Sequence, residues 1–401
     1  MFSSIFSTKN YFAFMLMLYV TSTLLFSLGS NIIISRLIDL ILIGSYLFYL
    51  IFHAKIKIHI HSFLWFYLFF AIYALMSSFW SIDNTISITE SFRIMIIGIN
   101  MIFIYSLSKQ FKIERFILYG FILAALYNYA IAFDIISFTS KYTIYNIHRF
   151  VGTSNNSNVM AIYMLFNVVS SILLIEENKL EKKSLYLNIF LFTNILLAIY
   201  IIILTASKKG IIFVILLMVI YFLTALKSKK NISIIILFGL SFLYLINSGT
   251  LFEINGVDYM LKRLSTLENA GHSGSTYERY MLIVYAYEVF TQNIFTFLFG
   301  TGEGTFFLQN RFGLYAHNNY MEILANLGII GLTLYYSIYI ILFKNIKKLT
   351  NKQIKYFLYG FILILLIMDN ALVSYIFKGT LLMFIFIITY IERKEEISFE
   401  K

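Results

Sequence analysis

The residues best placed to do chemistry lie in the stretch Tyr315 to Leu332, Tyr-Ala-His-Asn-Asn-Tyr-Met-Glu-Ile-Leu-Ala-Asn-Leu-Gly-Ile-Ile-Gly-Leu, where a long polar interval meets an apolar run. His317 stands at the join, at or just before the first turn of a helix. A helix N-terminus carries partial positive charge and disfavours a second one. The imidazole is therefore expected to be neutral near pH 7, the state a general base needs. Glu322 lies one turn deeper, where an ionised group is costly without a partner. The same pattern also fits a polar cap with a boundary histidine, and the stretch alone leaves both readings open.

Four other places carry polar chemistry. His148-Arg149-Phe150-Val151-Gly152-Thr153-Ser154-Asn155-Asn156-Ser157-Asn158 offers a turn, a Ser/Asn helix cap and a nearby arginine. Such a cap beside a fixed cation suits an anion, although the segment also reads as an ordinary polar loop. Thr205-Ala206-Ser207-Lys208-Lys209-Gly210 sets two cations between two apolar runs, and these fit either an anion site or snorkelling lysines. In Ser275-Thr276-Tyr277-Glu278-Arg279-Tyr280, Arg279 can pair with Glu278 or face an anionic ligand. Phe299-Gly300-Thr301-Gly302-Glu303-Gly304 can cradle a phosphate, but a flexible turn is the better reading of a lone glycine pattern. Arg149, Lys208, Lys209 and Arg279 together with one candidate base suit an anionic, lipid-linked substrate. No Asp/Glu pair or metal-spaced histidine set is evident among these stretches. His272 reads as solvated surface, and His53, His59 and His61 read as interfacial.

The elements that position these residues must be membrane helices. Hydrophobic residues make up 60% of the 401, and charged residues only 13%. Soluble domains carry roughly 25% charge, and mean hydropathy here is +0.81. Cysteine is absent, which excludes disulfides, a thiolate nucleophile and cysteine-ligated metal. Runs of about 20 apolar residues mark spans. They are expected near 11–29, 33–53, 62–82, 86–108, 116–138, 157–175, 185–204, 210–226, 232–248, 318–343, 356–373 and 375–391. The first is read as a retained span, because a basic n-region and a small-residue cleavage site are missing.

Most of the 31 Lys and Arg fall in alternate loops, among them Lys109/Lys112/Arg115, Lys227/Lys229/Lys230 and the cluster Lys344 to Lys355. The positive-inside rule then places both termini in the cytoplasm. Loop lysine facing anionic lipid accounts for the net charge of +11 without nucleic acid. Residues 280–299 are apolar, but Glu288, Gln292 and Asn293 interrupt them. They are expected as a helix on the outer surface. The chain is thus divided into spans one to nine (1–248), a large extracytoplasmic loop (249–316), and spans ten to twelve with a cytoplasmic tail (317–401).

The order of motifs resembles the O-antigen ligase and Wzy-type polymerase superfamily of bacterial envelope glycosyltransferases. The resemblance covers roughly residues 145–345. It rests on the Arg149–Gly152–Asn158 segment, on Thr205–Ser207–Lys208 and on Arg279. It rests also on Gly300–Gly302–Gly304, and on His317–Asn318 through Glu322 to Gly328 and Gly331. The family usually has Ser-Arg where this chain has Ser207-Lys208, and lysine keeps the charge but lacks the bidentate fork.

The resemblance implies an all-α, polytopic, GT-C-like membrane protein of about twelve transmembrane helices in the bacterial cytoplasmic membrane, with its active site facing outside. The implied donor is a glycan on undecaprenyl pyrophosphate and the implied acceptor a sugar hydroxyl, with no cofactor and no metal. His317 is the implied base. Arg149, Lys208, Lys209 and Arg279 are implied on the pyrophosphate, with Asn318 and Glu322 among the substrate-binding residues. Membrane lipid and other polysaccharide-assembly proteins are the expected partners. Polymerase and ligase both fit, with polymerase favoured because no acceptor-specific feature is visible. A transporter or flippase for lipid-linked sugars is the rival reading, but it leaves the 249–316 loop and its His317 boundary harder to explain.

Overall fold

The computed structural model describes residues 7–26, 32–52, 57–138, 142–143, 146–180, 184–225 and 275–399. The expected span 232–248, His53, His272 and residues 249–274 of the expected loop lie outside the described residues. The first helices are α1 (Thr8–Leu25), α2 (Ile32–Phe52), α3 (Ser62–Met76), α4 (Asn84–Phe111) and α5 (Arg115–Ala132). A hairpin follows, β1 (Tyr142–Thr143) paired antiparallel with β2 (Asn146–Phe150). Then come α6 (Ser157–Leu180), α7 (Leu185–Leu204), α8 (Lys208–Ala225), α9 (Ser275–Thr291) and α10 (Ile294–Phe299). The last are α11 (Asn319–Ile346), α12 (Lys352–Met368) and α13 (Lys378–Phe399).

Apart from the hairpin the architecture is all-α. Among the described residues six stretches are long and apolar enough to cross a membrane: Ser62–Phe79, Asn84–Phe111, Arg115–Ala132, Ser157–Lys179, Leu185–Leu204 and Asn319–Ile346. The protein is a polytopic membrane protein. Residues 280–299 do not form one continuous helix. α9 stops at Thr291, and α10 starts behind an Asn293–Thr296 capping box in which each side chain accepts or donates at the other's backbone.

The chain divides into two compact units. The first comprises Met1–Ser45, Ile113–Leu267 and Leu349–Ile364. Its helices α5, α6 and α7 are joined by buried polar contacts. Asn167 Nδ2 donates to Tyr129 OH at 2.8 Å, which donates to Asn194 O at 3.1 Å. Asn194 Nδ2 reaches Asn167 Oδ1 at 2.9 Å and Ser171 Oγ at 2.8 Å. Apolar surroundings give no hydrophobic drive between helices, so such bonds and close packing hold them, at about 0.6 kcal/mol each.

The second unit comprises Tyr46–Lys112, Glu268–Lys348 and Leu365–Lys401. Its central element is α11, which bends at Gly328 (φ 64°, ψ −167°). Asn319 Nδ2 lies 2.9 Å from Tyr336 OH, and the Tyr320 and Tyr336 rings stack with centroids 4.7 Å apart. In a straight helix residues 17 apart would be separated by about 25 Å, so the arm 319–327 folds back along the arm 329–346. The expected span 318–343 therefore contains a sharp bend. Its second arm, about 27 Å long, is close to the thickness of a hydrocarbon core.

The bend frees backbone carbonyls, and neighbours satisfy them. Thr301 N donates to Ala325 O at 3.0 Å, Gly302 N to Asn326 O at 2.9 Å, and Tyr73 OH to Leu327 O at 3.1 Å. This requires very close approach. A Cβ on Gly300 would overlap the Asn326 carbonyl, and one on Gly328 the Leu298 carbonyl.

Candidate active site

In the first unit, Arg149 lies in β2, one residue before its end, and its Nε donates to Thr205 O at 3.1 Å, at the C-terminal end of α7. Its Nη2 is 3.5 Å from Asn158 Oδ1. Asn158 lies in the first turn of α6, which begins after Asn156, whose Oδ1 accepts from Asn158 N at 2.9 Å and Val159 N at 3.3 Å. Ser207 begins α8 in the same way, its Oγ accepting from Gly210 N at 3.3 Å.

The two helix starts meet directly. Ser207 Oγ donates to Asn158 Oδ1 at 2.9 Å, and a Cβ on Gly210 would come within 2.6 Å of the Ala161 methyl. Lys208 and Lys209 occupy the first turn of α8, both half-buried. Cations usually avoid a helix N-terminus, because the dipole repels them. Here two helix N-termini and three cationic side chains are gathered in one unit, an arrangement that favours an anion of more than one charge.

In the second unit, His317 precedes α11 with a left-handed backbone (φ 53°), uncommon for a residue with a side chain. Asn318 caps the helix, its Oδ1 accepting from Met321 N at 3.1 Å, and its Nδ2 reaches Asn370 O at 3.4 Å. Asn319 N donates to Asp369 O at 2.7 Å. Ahead of the histidine, Ala316 N donates to Glu322 Oε2 at 2.5 Å, and Asn326 Nδ2 holds Glu322 Oε1 at 3.0 Å. His317 is thus pinned on both sides, through the Ala316 backbone and the Asn318 side chain. The Tyr315 ring packs on the imidazole, with centroids 3.9 Å apart. Burial pushes the Tyr315 phenol up, with Arg279 pulling it back and Glu322 adding to the rise. Arg279 of α9 therefore belongs electrostatically to the His317 corner.

Behind α11 lies a polar knot that the sequence reading missed. Asp369 accepts from Ser374 Oγ at 2.5 Å, Tyr336 OH at 2.8 Å and Tyr339 OH at 3.3 Å. Asn319 Oδ1 accepts from the N–H groups of Ser374 (2.8 Å) and Tyr375 (3.1 Å). A single acid ending the apolar run Phe361–Met368 was the available signal.

The glycine turn 300–304 was read as flexible. It is instead packed against α11 and the α3–α4 corner, where an added Cβ on Gly302 or Gly304 would meet Ser81 or Glu90. Its N–H groups at Thr301, Gly302 and Glu303 already donate within the protein. The turn braces the bend in α11 and does not resemble an open phosphate cradle.

Of the expected residues, then, Arg149, Lys208 and Lys209 gather in one unit, and Arg279, His317, Asn318 and Glu322 in the other. Among the described residues no group of three or more His, Asp or Glu is arranged to hold a metal ion.

The O-antigen ligase family matches residues 193–336. That stretch includes Lys208, Lys209, Arg279, His317, Asn318 and Glu322, and it leaves out Arg149 and Asp369. The resemblance to the O-antigen ligase and polymerase superfamily is borne out. The family implies an enzyme of glycosyltransferase type acting on a lipid-linked glycan and an acceptor. No curated protein and no solved structure matches the chain.

Proposed function

We propose that the chain is a metal-independent glycosyltransferase. It moves a glycan from undecaprenyl pyrophosphate to a sugar hydroxyl at the outer face of the bacterial cytoplasmic membrane, polymerising O-antigen or capsular repeat units. The observation that carries this reading is the His317 corner, a histidine on a fixed left-handed backbone at a helix start, inside the stretch that matches the O-antigen ligase family. Ligation of a finished chain to another acceptor, such as lipid A-core, is the alternative within the same family.

In the proposed reaction His317 takes the proton of the acceptor hydroxyl as its oxygen attacks the anomeric carbon. The bond from that carbon to the phosphate oxygen breaks, and undecaprenyl pyrophosphate leaves with the electron pair. Arg149, Lys208, Lys209 and Arg279 stabilise the charge that grows on the leaving group. The proton passes from His317 to solvent. Asn318 and Glu322, first expected among the substrate contacts, act mainly by holding His317 in place, as their hydrogen bonds suggest.

Purified protein given only a repeat unit on undecaprenyl pyrophosphate, in chelator, tests the proposal. A ladder of lengthening products is expected. Product only when lipid A-core is added would mean ligase. Absence of any glycosidic bond would leave the transport reading. The proposed topology puts residues 249–316 outside and Lys344–Lys355 inside, with both termini cytoplasmic. Single cysteines introduced into this cysteine-free chain check it, and labelling of position 350 from outside intact cells would overturn it.

A further inference from the structure

Glu303 lies in the middle of the glycine turn and is 2% exposed. Its N–H donates to Ser77 Oγ at 2.9 Å, and its Oε1 accepts from Tyr375 OH at 2.5 Å. Its Oε2 is buried with no hydrogen-bond partner. An ionised carboxylate has about four acceptor sites to fill. Buried with a single donor, the ionised form is strongly disfavoured.

The groups that face it come from every element packed around the turn. They are Tyr67 of α3, Glu90 and Arg93 of α4, Glu322 of α11, and Tyr375 between α12 and α13. Two carboxyls therefore oppose one guanidinium, and Arg93 Nη1 is drawn to Glu90 at 3.4 Å in a largely exposed pair. Burial pushes the Glu303 carboxyl up to about 8, against the pull of the Tyr375 phenol, with Glu322 and Glu90 adding to the rise and Arg93 opposing it. A proton on Oε2 removes the buried charge and leaves Oε1 to accept from Tyr375.

The turn leads to the base by two routes. Thr301, Gly302 and Phe306 bind the backbone of Ala325 and Asn326 and the Asn326 side chain, and Asn326 holds Glu322 beside Ala316. Tyr375, on the other side, gives its N–H to Asn319 at the start of α11.

From this geometry we infer that Glu303 works as a neutral carboxylic acid, a positioning residue that latches the glycine turn to Tyr375 and so keeps the bent α11 and His317 in register. The activity part of this inference rests on the transferase reading, and the protonation part does not. A carboxyl raised in the docked turn favours docking at low pH. That advantage falls as pH climbs towards about 8. Above it the carboxylate predominates and is opposed by Glu90 and Glu322.

The test combines the pH profile of glycan transfer with infrared spectra of the purified full-length protein. Glu303→Gln keeps the shape of the neutral acid. It should transfer at pH 7 much as wild type does, and it should lack the wild type's alkaline loss near pH 8. Glu303→Ala should lose about 10²-fold, the cost of a small misplacement at a reacting centre. Tyr375→Phe removes the latch and with it a donor that favours the charged form, so it should lower transfer and move the remaining alkaline limb to higher pH. The difference spectrum of wild type minus Glu303→Gln at pH 7 should show the carbonyl band of a protonated buried carboxyl, bleached at high pH. Transfer by Glu303→Gln as poor as by Glu303→Ala would overturn the inference, and so would a difference spectrum without that band. If wild type forms no glycosidic bond, the transferase reading falls and the positioning claim with it, while the band still decides whether Glu303 is neutral.

Discussion

The Arg149–Lys208–Lys209 corner and the His317 corner are built in opposite ways. The first collects positive charge at two helix starts, on side chains that remain half-buried. Its contacts come from two short stretches, 149–158 and 205–210, and most are between groups close in sequence. The second places acids and amides out of solvent, with Glu322 at 5%, Asn319 at 0% and Asp369 at 0% exposed. Its bonds tie residues some fifty positions apart, as in Asn319 to Asp369 and to Ser374. Charge attraction falls off gradually with distance and is weakened by salt. Hydrogen-bonded placement of a base tolerates little displacement. The first corner should therefore fail by degrees when altered, and the second abruptly.

The largest effect is expected at the bend. Gly328→Val puts a β-branched residue at φ 64° and drives its Cβ into the Leu298 carbonyl. The backbone conformation alone costs about 1–3 kcal/mol. Transfer should vanish and thermal unfolding of the purified protein should shift down. A variant with normal stability and activity would contradict the geometric account of the second corner.

Asp369→Asn comes next. It turns an acceptor of Ser374, Tyr336, Tyr339 and Asn319 into a group that must itself donate. Transfer should fall about 10²-fold with donor binding unchanged. Arg149→Ala should differ from it in weakening donor binding as well. It removes charge and the tie to Thr205, so the KM for the donor should rise together with a loss of turnover of about 10²-fold. The smallest effects belong to Lys208. Loss of one charge-assisted contact in Lys208→Ala, at a half-buried site, is worth about 1.5 kcal/mol, so roughly tenfold, less at high salt. Lys208→Arg should match or exceed wild type, since the fork suits phosphate. No effect in either Lys208→Ala or Lys209→Ala would return the pair to snorkelling.

Much of the first corner was legible in the chain, because its chemistry is local. Asn156 and Ser207 are helix caps in a readable pattern, and Gly210 marks the close approach of two helices. The apolar runs also announced the six helices long enough to cross a membrane among the described residues. The second corner was legible only at Arg279, His317, Asn318 and Glu322. Nothing in the order of residues says that α11 folds back on itself, because Gly328 in an apolar run looks like any tolerated glycine until Leu298 is packed against it. The glycine turn was misread for a related reason. Three glycines suggest freedom, whereas here they permit contact with Ser81, Glu90 and Asn326. Asp369 and Glu303 were missed because most of their partners, Tyr336, Tyr339 and Asn319 for the one and Tyr375 for the other, lie far away in sequence.

The central claim is that His317 is the base, held in place by its neighbours, and that donor binding does not depend on it. The rate of glycan transfer by His317→Gln at saturating donor tests it most directly, with bound donor counted in the same samples. Glutamine keeps the size and hydrogen bonding of the side chain but accepts no proton near neutral pH. The expected result is a loss of ~10²–10⁴-fold in rate, the usual contribution of general base catalysis, with donor binding intact. A His317→Gln protein that transfers glycan at the wild-type rate would contradict the account.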